Sequence, residues 1–145
     1  MPKVICVDAN FIVRLLSDPP NAISYSNLWR QWKSSGDRII APTIYCYEVT
    51  NVFHRMSLAG QISSEVAEQL LEEALNLEIT LYGDKDLHKR ALALAKSLNL
   101  RAAYDAHYLA LSERFDAEFY TSDKRLFNSV KETITWIHLV EQNRL

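Results

Sequence analysis

A three-layer α/β/α sandwich around a mainly parallel sheet of about five strands is the fold this sequence predicts, and three observations predict it. Short apolar runs rich in β-branched residues alternate with stretches of helical period along the whole chain, the signature of successive strand–helix units. No hairpin signal separates two such runs, so neighbouring strands have to be joined through helices. The first run, Lys3-Val4-Ile5-Cys6-Val7, is apolar on both alternating faces, as a strand covered by helices on both sides must be.

At 145 residues the chain has the size of one domain, expected to span 1–145, and buries roughly two-thirds of its unfolded surface. With 48% hydrophobic and 23% charged residues it reads as globular rather than disordered. Cys6 and Cys46 lie in apolar runs and are expected as buried thiols, not as a disulfide or a metal site, which suits a reducing compartment. Asp8 and Arg14 interrupt the N-terminus too early for a signal-peptide apolar region, and no run approaches the ~20 apolar residues of a membrane span. The expected location is the cytoplasm. A net charge of -2 announces no bulk basic field for nucleic acid, but a cluster of acids that binds divalent cations reverses its own local sign.

The elements follow in order. After the first strand, Phe11, Ile12, Leu15 and Leu16 recur at helical spacing until Asp18-Pro19-Pro20 stops them. From Ala22 to Ser35 a second helix carries Tyr25, Leu28, Trp29 and Trp32 on one stripe, and Gly36 ends it. Those aromatics either pack on the sheet or form a patch for a partner. Arg38–Ala41 is a strand, with Pro42 suited to the first turn of a helix that runs to about Ala59 before Gly60. Along that helix Glu48, Asn51 and Arg55 line one side.

Ser63 or Ser64 caps the next helix, which reaches Asn76 with Ala67, Leu70, Leu71, Ala74 and Leu75 facing in and Glu65, Glu68, Glu72 and Glu73 in solvent. Leu77–Tyr82 is a strand, Gly83-Asp84 a turn, and Leu87, Ala91, Leu94, Ala95 and Leu98 a helix that Asn99 closes. A helix from about Ala103 to Phe115, a strand Glu118–Tyr120, a short helix from Lys124 to Val130 and a last strand Ile134–Val140 complete the chain.

Taken singly, Asp8, Asp105 and Asp123 each have an ordinary reading as a helix N-cap, and Glu48 as an exposed helical residue. Topology changes the weighting. Asp8 and Asp123 follow strands at the carboxyl edge of the sheet, Asp105 begins a helix there, and Glu48 lies one to two turns into another helix starting at that edge. This is where open α/β sheets place their crevice and where helix N-termini favour anions. Four carboxylates brought together repel one another and some take up protons. Mg²⁺ or Mn²⁺ resolves the conflict, because hard cations prefer oxygen ligands and keep several waters. Such an ion acidifies water and neutralises phosphoryl charge, so phosphodiester hydrolysis is the natural reaction class.

Asp8-Ala-Asn10 after the first strand, Glu48 within Ala-Pro-Thr-Ile-Tyr-Cys-Tyr-Glu-Val-Thr-Asn, the run Tyr-Asp105-Ala-His-Tyr-Leu-Ala-Leu-Ser-Glu and Thr121-Ser-Asp123-Lys-Arg-Leu together resemble the PIN-domain family, and in size the VapC-type ribonuclease toxins. The resemblance covers nearly the whole chain, and the order and spacing of four motifs carry it. It implies a divalent-metal-dependent ribonuclease acting on an RNA substrate, a homodimer, and neutralisation by a small antitoxin protein encoded nearby. Carried over residue by residue, Asp8, Glu48, Asp105 and Asp123 are the metal-binding and catalytic acids, with Asn10 and Thr121 as supporting polar groups. Ala9 stands where many members have Thr or Ser. Arg14, Arg55, Lys124 and Arg125 are the candidates for substrate phosphate. His54, His88, His107 and His138 are read as structural, His107 being the one near enough to Asp105 to reach substrate. The expected dimer rests on the family and on the stripe of Tyr25, Trp29 and Trp32.

Rival readings are a PIN-fold interaction module without catalysis and a receiver-type phosphoacceptor domain. The receiver pattern needs a paired acid at the first strand, an Asp after the third and a Lys after the fifth. Here the third strand ends in Tyr82-Gly83 and the last continues into His138-Leu139-Val140. A haloacid-type phosphatase fails because Asn10 replaces the second Asp of its opening motif.

Overall fold

The computed structural model describes residues 2–18 and 21–141. Its elements in order are β1 (Val4–Val7), α1 (Ala9–Ser17), α2 (Ile23–Ser35), β2 (Arg38–Pro42), α3 (Ile44–Leu58), α4 (Ser64–Asn76), β3 (Thr80–Tyr82), α5 (Lys85–Ser97), α6 (Tyr104–Phe115), β4 (Glu118–Thr121), α7 (Lys124–Val130) and β5 (Ile137–Leu139). The five strands form one sheet in the order β3-β2-β1-β4-β5, and every pairing is parallel. The expected architecture is therefore present, with β1 at its centre. Ile5, Cys6 and Val7 are almost fully buried, as a strand flanked by two neighbours and covered on both faces requires.

Local chemistry fixes the helix ends. Asp8, Ser63, Asp84 and Asp123 each accept a hydrogen bond from the backbone N–H three residues on, satisfying donors that have no partner inside the helix. Gly36 ends α2 at φ 73°, a left-handed conformation open to glycine without a Cβ penalty. Asn99 and Asp116 adopt the same hand, at φ 55° and 51°, as Asn and Asp tolerate best among residues with side chains. Asp18 closes α1; the Pro19-Pro20 part of the expected stop lies outside the described residues.

Several expectations need correction. Pro42 is the last residue of β2, paired with Tyr82, rather than the first of α3, and the N–H of Thr43 donates to the Tyr82 carbonyl. β3 and β5 are shorter than their apolar runs. β3 lies at the sheet edge with Thr80 and Leu81 exposed, and only Ile40, Ala41 and Pro42 of β2 face it. Leu75 points outward. Cys6 is buried, whereas Cys46 is only half-buried, and both are free thiols.

The aromatic stripe of α2 packs on the sheet. Tyr25 and Trp32 are buried, with Phe11 at 5.0 Å from Tyr25 and 5.3 Å from Trp32, and Trp32 at 4.9 Å from Tyr120. Half-buried Trp29 meets Trp32 edge-on. These contacts bury the rings of Tyr25 and Trp32, and of the three aromatics Trp29 is the one that reaches the surface. Glu65, Glu68, Glu72 and Glu73 are solvated on α4. Two bidentate ion pairs, Arg90 with Glu113 and Arg114 with Asp84, tie α5 to α6. No helix among the described residues is long and apolar enough to cross a membrane.

Candidate active site

Parallel register places the first acid. Val7 pairs with Tyr120, so the next residues along, Asp8 and Thr121, stand opposite each other where β1 and β4 end. Asp8 is 8% exposed and both its oxygens are engaged. Oδ1 accepts the N–H of Phe11 at 2.8 Å, and Oδ2 accepts the hydroxyl of Thr121. The Thr121 hydroxyl, itself fully buried, accepts the backbone N–H of Asp123 at 3.0 Å. One side chain thus ties together the two strand ends that carry acids. Asp123 Oδ1 in turn accepts the N–H of Leu126 at 3.1 Å. For Asp8 and Asp123 the capping and site readings coexist, because the cap fixes the carboxylate's direction and leaves lone pairs over.

The other two acids come from helices. Glu48 lies in the second turn of α3, and its Oε1 accepts the hydroxyl of buried Tyr108 at 2.6 Å. Asp105 lies in the first turn of α6, three residues before Tyr108 and hence on the same helix face. Asp105 does not cap its helix, since Ala103 holds that position, and it accepts no hydrogen bond among the described residues.

Electrostatics show which acids meet. Asp8 is pushed up to about 7, first by burial, against the opposing pull of the Thr121 and Phe11 donors, with Glu48 and Asp105 adding like charge. Asp105 is pushed up to about 6 by burial, then by Asp123, then by Glu48. Glu48 is raised by burial and eased by the Tyr108 hydroxyl. Burial, then the charge of Glu48, raises Tyr108 well above the usual phenol range, so its hydroxyl keeps its proton and stays a donor. Asp105 is the hub that feels both Asp123 and Glu48. Such perturbed carboxylates in one crevice make it the candidate site.

Among the described residues, no group of three or more His, Cys, Asp or Glu is placed so that it would hold a metal ion by itself. The acids form a cluster that shares one field rather than a closed cage. An all-oxygen donor set, short of positive charge, fits a hard divalent cation held by one or two carboxylates with water completing its shell. It does not fit zinc, which prefers nitrogen and sulfur.

The remaining sequence candidates are more scattered. Asn10 is exposed in the first turn of α1. Lys124 and Arg125 are exposed directly behind Asp123 at the start of α7. Arg14 is exposed on the last turn of α1, and exposed Arg55 lies seven residues past Glu48, ~10 Å farther along α3. His138 bonds Glu118 at 3.0 Å and stacks on Tyr120. His107 has both ring nitrogens engaged, Nδ1 with the Ala103 carbonyl at 2.7 Å and Nε2 with His88 Nδ1 at 2.9 Å.

Sequence reasoning passed over Tyr108, whose spacing reads as core, and a groove beside the acids. The groove, about 430 Å³, opens at the carboxyl ends of β2 and β3 between α3, α5 and α6. Tyr47 and Tyr104 line it and are 76% and 63% exposed. The available signal was a repeated dipeptide order, Tyr47-Glu48 and Tyr104-Asp105.

Three comparisons bear on this arrangement. The PIN domain family profile matches residues 5–132. Comparison with curated proteins gives no match. Among solved structures, a toxin–antitoxin complex from Klebsiella pneumoniae contains a chain with a similar fold, at TM-score 0.67 and 18% identity, covering 94% of this chain and 99% of that one. VapBC2 from Rickettsia felis, bound to a DNA fragment from the promoter, matches at TM-score 0.72 and 15% identity over 95% of this chain and 99% of that one.

Proposed function

The chain belongs to the PIN domain family, and from that premise we propose that it is a Mg²⁺- or Mn²⁺-dependent endoribonuclease, the toxin of a toxin–antitoxin pair. The observation that carries the reading is the convergence of Asp8, Glu48, Asp105 and Asp123 on one end of the sheet, where Asp8 and Asp105 are raised to about 7 and about 6. A site so short of positive charge is completed by a cation and by the phosphate the cation brings.

Within this reading each side chain has a defined task. Asp8, Glu48, Asp105 and Asp123 would surround the divalent ion, one or two of them as direct ligands and the others through its waters. When bound, that ion supplies Lewis-acid activation of water and charge neutralisation at the phosphoryl group. Thr121 fixes the Asp8 carboxylate by donating to Oδ2, and Tyr108 fixes Glu48 by donating to Oε1. Orientation of this kind limits how far the ligands must reorganise. Water attacks phosphorus in line with the departing 3′ oxygen; the P–O3′ bond breaks, the 3′ oxygen gains a proton, and the new ends are a 5′-phosphate and a 3′-hydroxyl. Lys124 and Arg125, beside Asp123, are the cations nearest in sequence for flanking phosphates. An antitoxin partner completes the proposal, supported by the similarity to a chain of a toxin–antitoxin complex and to VapBC2, and so does a homodimer, which the family resemblance implies.

The test is cleavage of single-stranded RNA with Mg²⁺, Mn²⁺ or EDTA. Cleavage is expected only with the metals, and Asp8→Asn is expected to lower it about 100-fold or more, since even outer-sphere partners of a metal ligand are worth 10–100-fold. Equal cleavage by Asp8→Asn would remove the site from the reaction. Titration showing no divalent binding would favour the non-catalytic PIN-fold module instead.

A further inference from the structure

We propose that the groove beside the acids is a nucleobase subsite, in which one unpaired base of the substrate strand stacks on Tyr47 and Tyr104 while His88 reads its hydrogen-bonding edge. The inference rests on the ribonuclease reading of the neighbouring acids. Its first support is size and chemistry. A volume of about 430 Å³ falls within the usual range for a small-molecule site. None of the lining residues is Asp, Glu, Lys or Arg, so the walls offer nothing to a phosphate or to a charged peptide side chain, whereas a flat uncharged ring is well matched.

Position is the second support. Tyr47 and Tyr104 immediately precede Glu48 and Asp105, on α3 and α6 respectively. Successive residues on a helix diverge by about 100°, so each helix directs an acid to the crevice and the preceding tyrosine to the adjoining groove. Both rings are far more exposed than the buried Tyr25, Tyr45 and Tyr108. Aromatic faces left in solvent beside a phosphodiester site are the usual platforms for single-stranded bases. A strand with its scissile phosphate at the acids brings its adjoining base to these rings.

The third support is the histidine pair. The Ala103 carbonyl only accepts, so His107 Nδ1 carries the hydrogen of their 2.7 Å bond. In the neutral pair His107 Nε2 then accepts from His88 Nδ1 across 2.9 Å, and His88 Nε2 is left as an acceptor. Both rings line the groove. An acceptor fixed there favours bases carrying an amino group on the pairing edge, adenine, cytosine and guanine, over uracil, whose single N–H is flanked by carbonyls.

Two measurements test the proposal. Full-length protein in EDTA is titrated with AMP, CMP, GMP and UMP while the imidazole signals of His88 and His107 are followed by NMR. Shifts at both histidines that are weakest for UMP, and are lost in Tyr104→Ala but kept in Tyr104→Phe, support the subsite. No shift, or shifts unaffected by Tyr104→Ala, overturns it. Cleavage with Mn²⁺ is then mapped on a random single-stranded RNA pool. Tyr47→Ala and Tyr104→Ala are each expected to raise KM about tenfold, a typical loss for one stacked base, and to flatten a base preference at one position beside the cut. Cleavage whose preference neither variant changes overturns the subsite and leaves the ribonuclease reading standing. Nucleotide binding at the histidines by a wild-type protein that cuts no RNA does the reverse.

Discussion

Thr121 is the residue on which the site's geometry turns, because one hydroxyl serves Asp8 and the backbone of Asp123 at once. Thr121→Val keeps the shape and removes both bonds. A buried acceptor that loses its donor costs about 1–3 kcal/mol, so urea denaturation should show a loss of that size. The Thr121 donor holds the Asp8 carboxyl down; without it that carboxyl should climb further above 7, which an NMR titration reads directly, and protons should compete harder with Mg²⁺. Thr121 was legible in the sequence through the family resemblance, which gives it as a supporting polar group. Tyr108 was not, because an aromatic at helical spacing announces a buried ring, and the ring is buried. What a spacing pattern cannot show is the partner its hydroxyl finds, here Glu48 at 2.6 Å.

At the scale of elements, the strand-ending acids double as helix caps, and the two roles separate by substitution. Asp123→Asn keeps a side-chain oxygen for the Leu126 N–H while removing charge, whereas Asp123→Ala removes both. Asn and Asp cap about equally, and Ala costs about 1 kcal/mol. Asp123→Asn should therefore melt close to wild type, Asp123→Ala measurably lower, and both should bind Mn²⁺ more weakly. Asp123→Asn should also bring Asp105 back toward the ordinary carboxylate range, since Asp123 is the largest like charge acting on it. An Asn variant that melts as low as the Ala variant would contradict the capping half of this account. Helices were legible because caps and periodicity both act locally. Strand lengths were not: Leu77–Tyr82 and Ile134–Val140 each read as one strand, but only Thr80–Tyr82 and Ile137–Leu139 pair with a neighbour.

For the whole molecule, the raised acids set a pH dependence with a definite sign. Between about pH 4 and 7 the folded, metal-free protein holds protons on Asp8 and Asp105 that the unfolded chain has released. Their contribution to stability is complete below the unfolded value near 4 and is lost as pH rises through about 6 and 7, with a slope of up to about 1.4 kcal/mol per pH unit for each group. Asp84 and Glu113, held low by Arg114 and Arg90, act in the opposite sense and weaken the fold only in acid. In EDTA the Tm should be higher near pH 5.5 than at pH 8, and Mg²⁺ should raise it most at pH 8; equal melting at both pH values in EDTA would refute this. The sheet order was not legible, since no local pattern says that β1 lies between β2 and β4. That placement governs when the site comes into being. Asp8 must wait for Thr121, 113 residues later, and joining such remote segments is the slow part of building a parallel sheet. In a nascent chain leaving the ribosome, β1, β2 and β3 are complete while Thr121 and Asp123 are still unsynthesised. On the proposed reading the cell is thereby shielded, its own message included, from every unfinished copy of the enzyme.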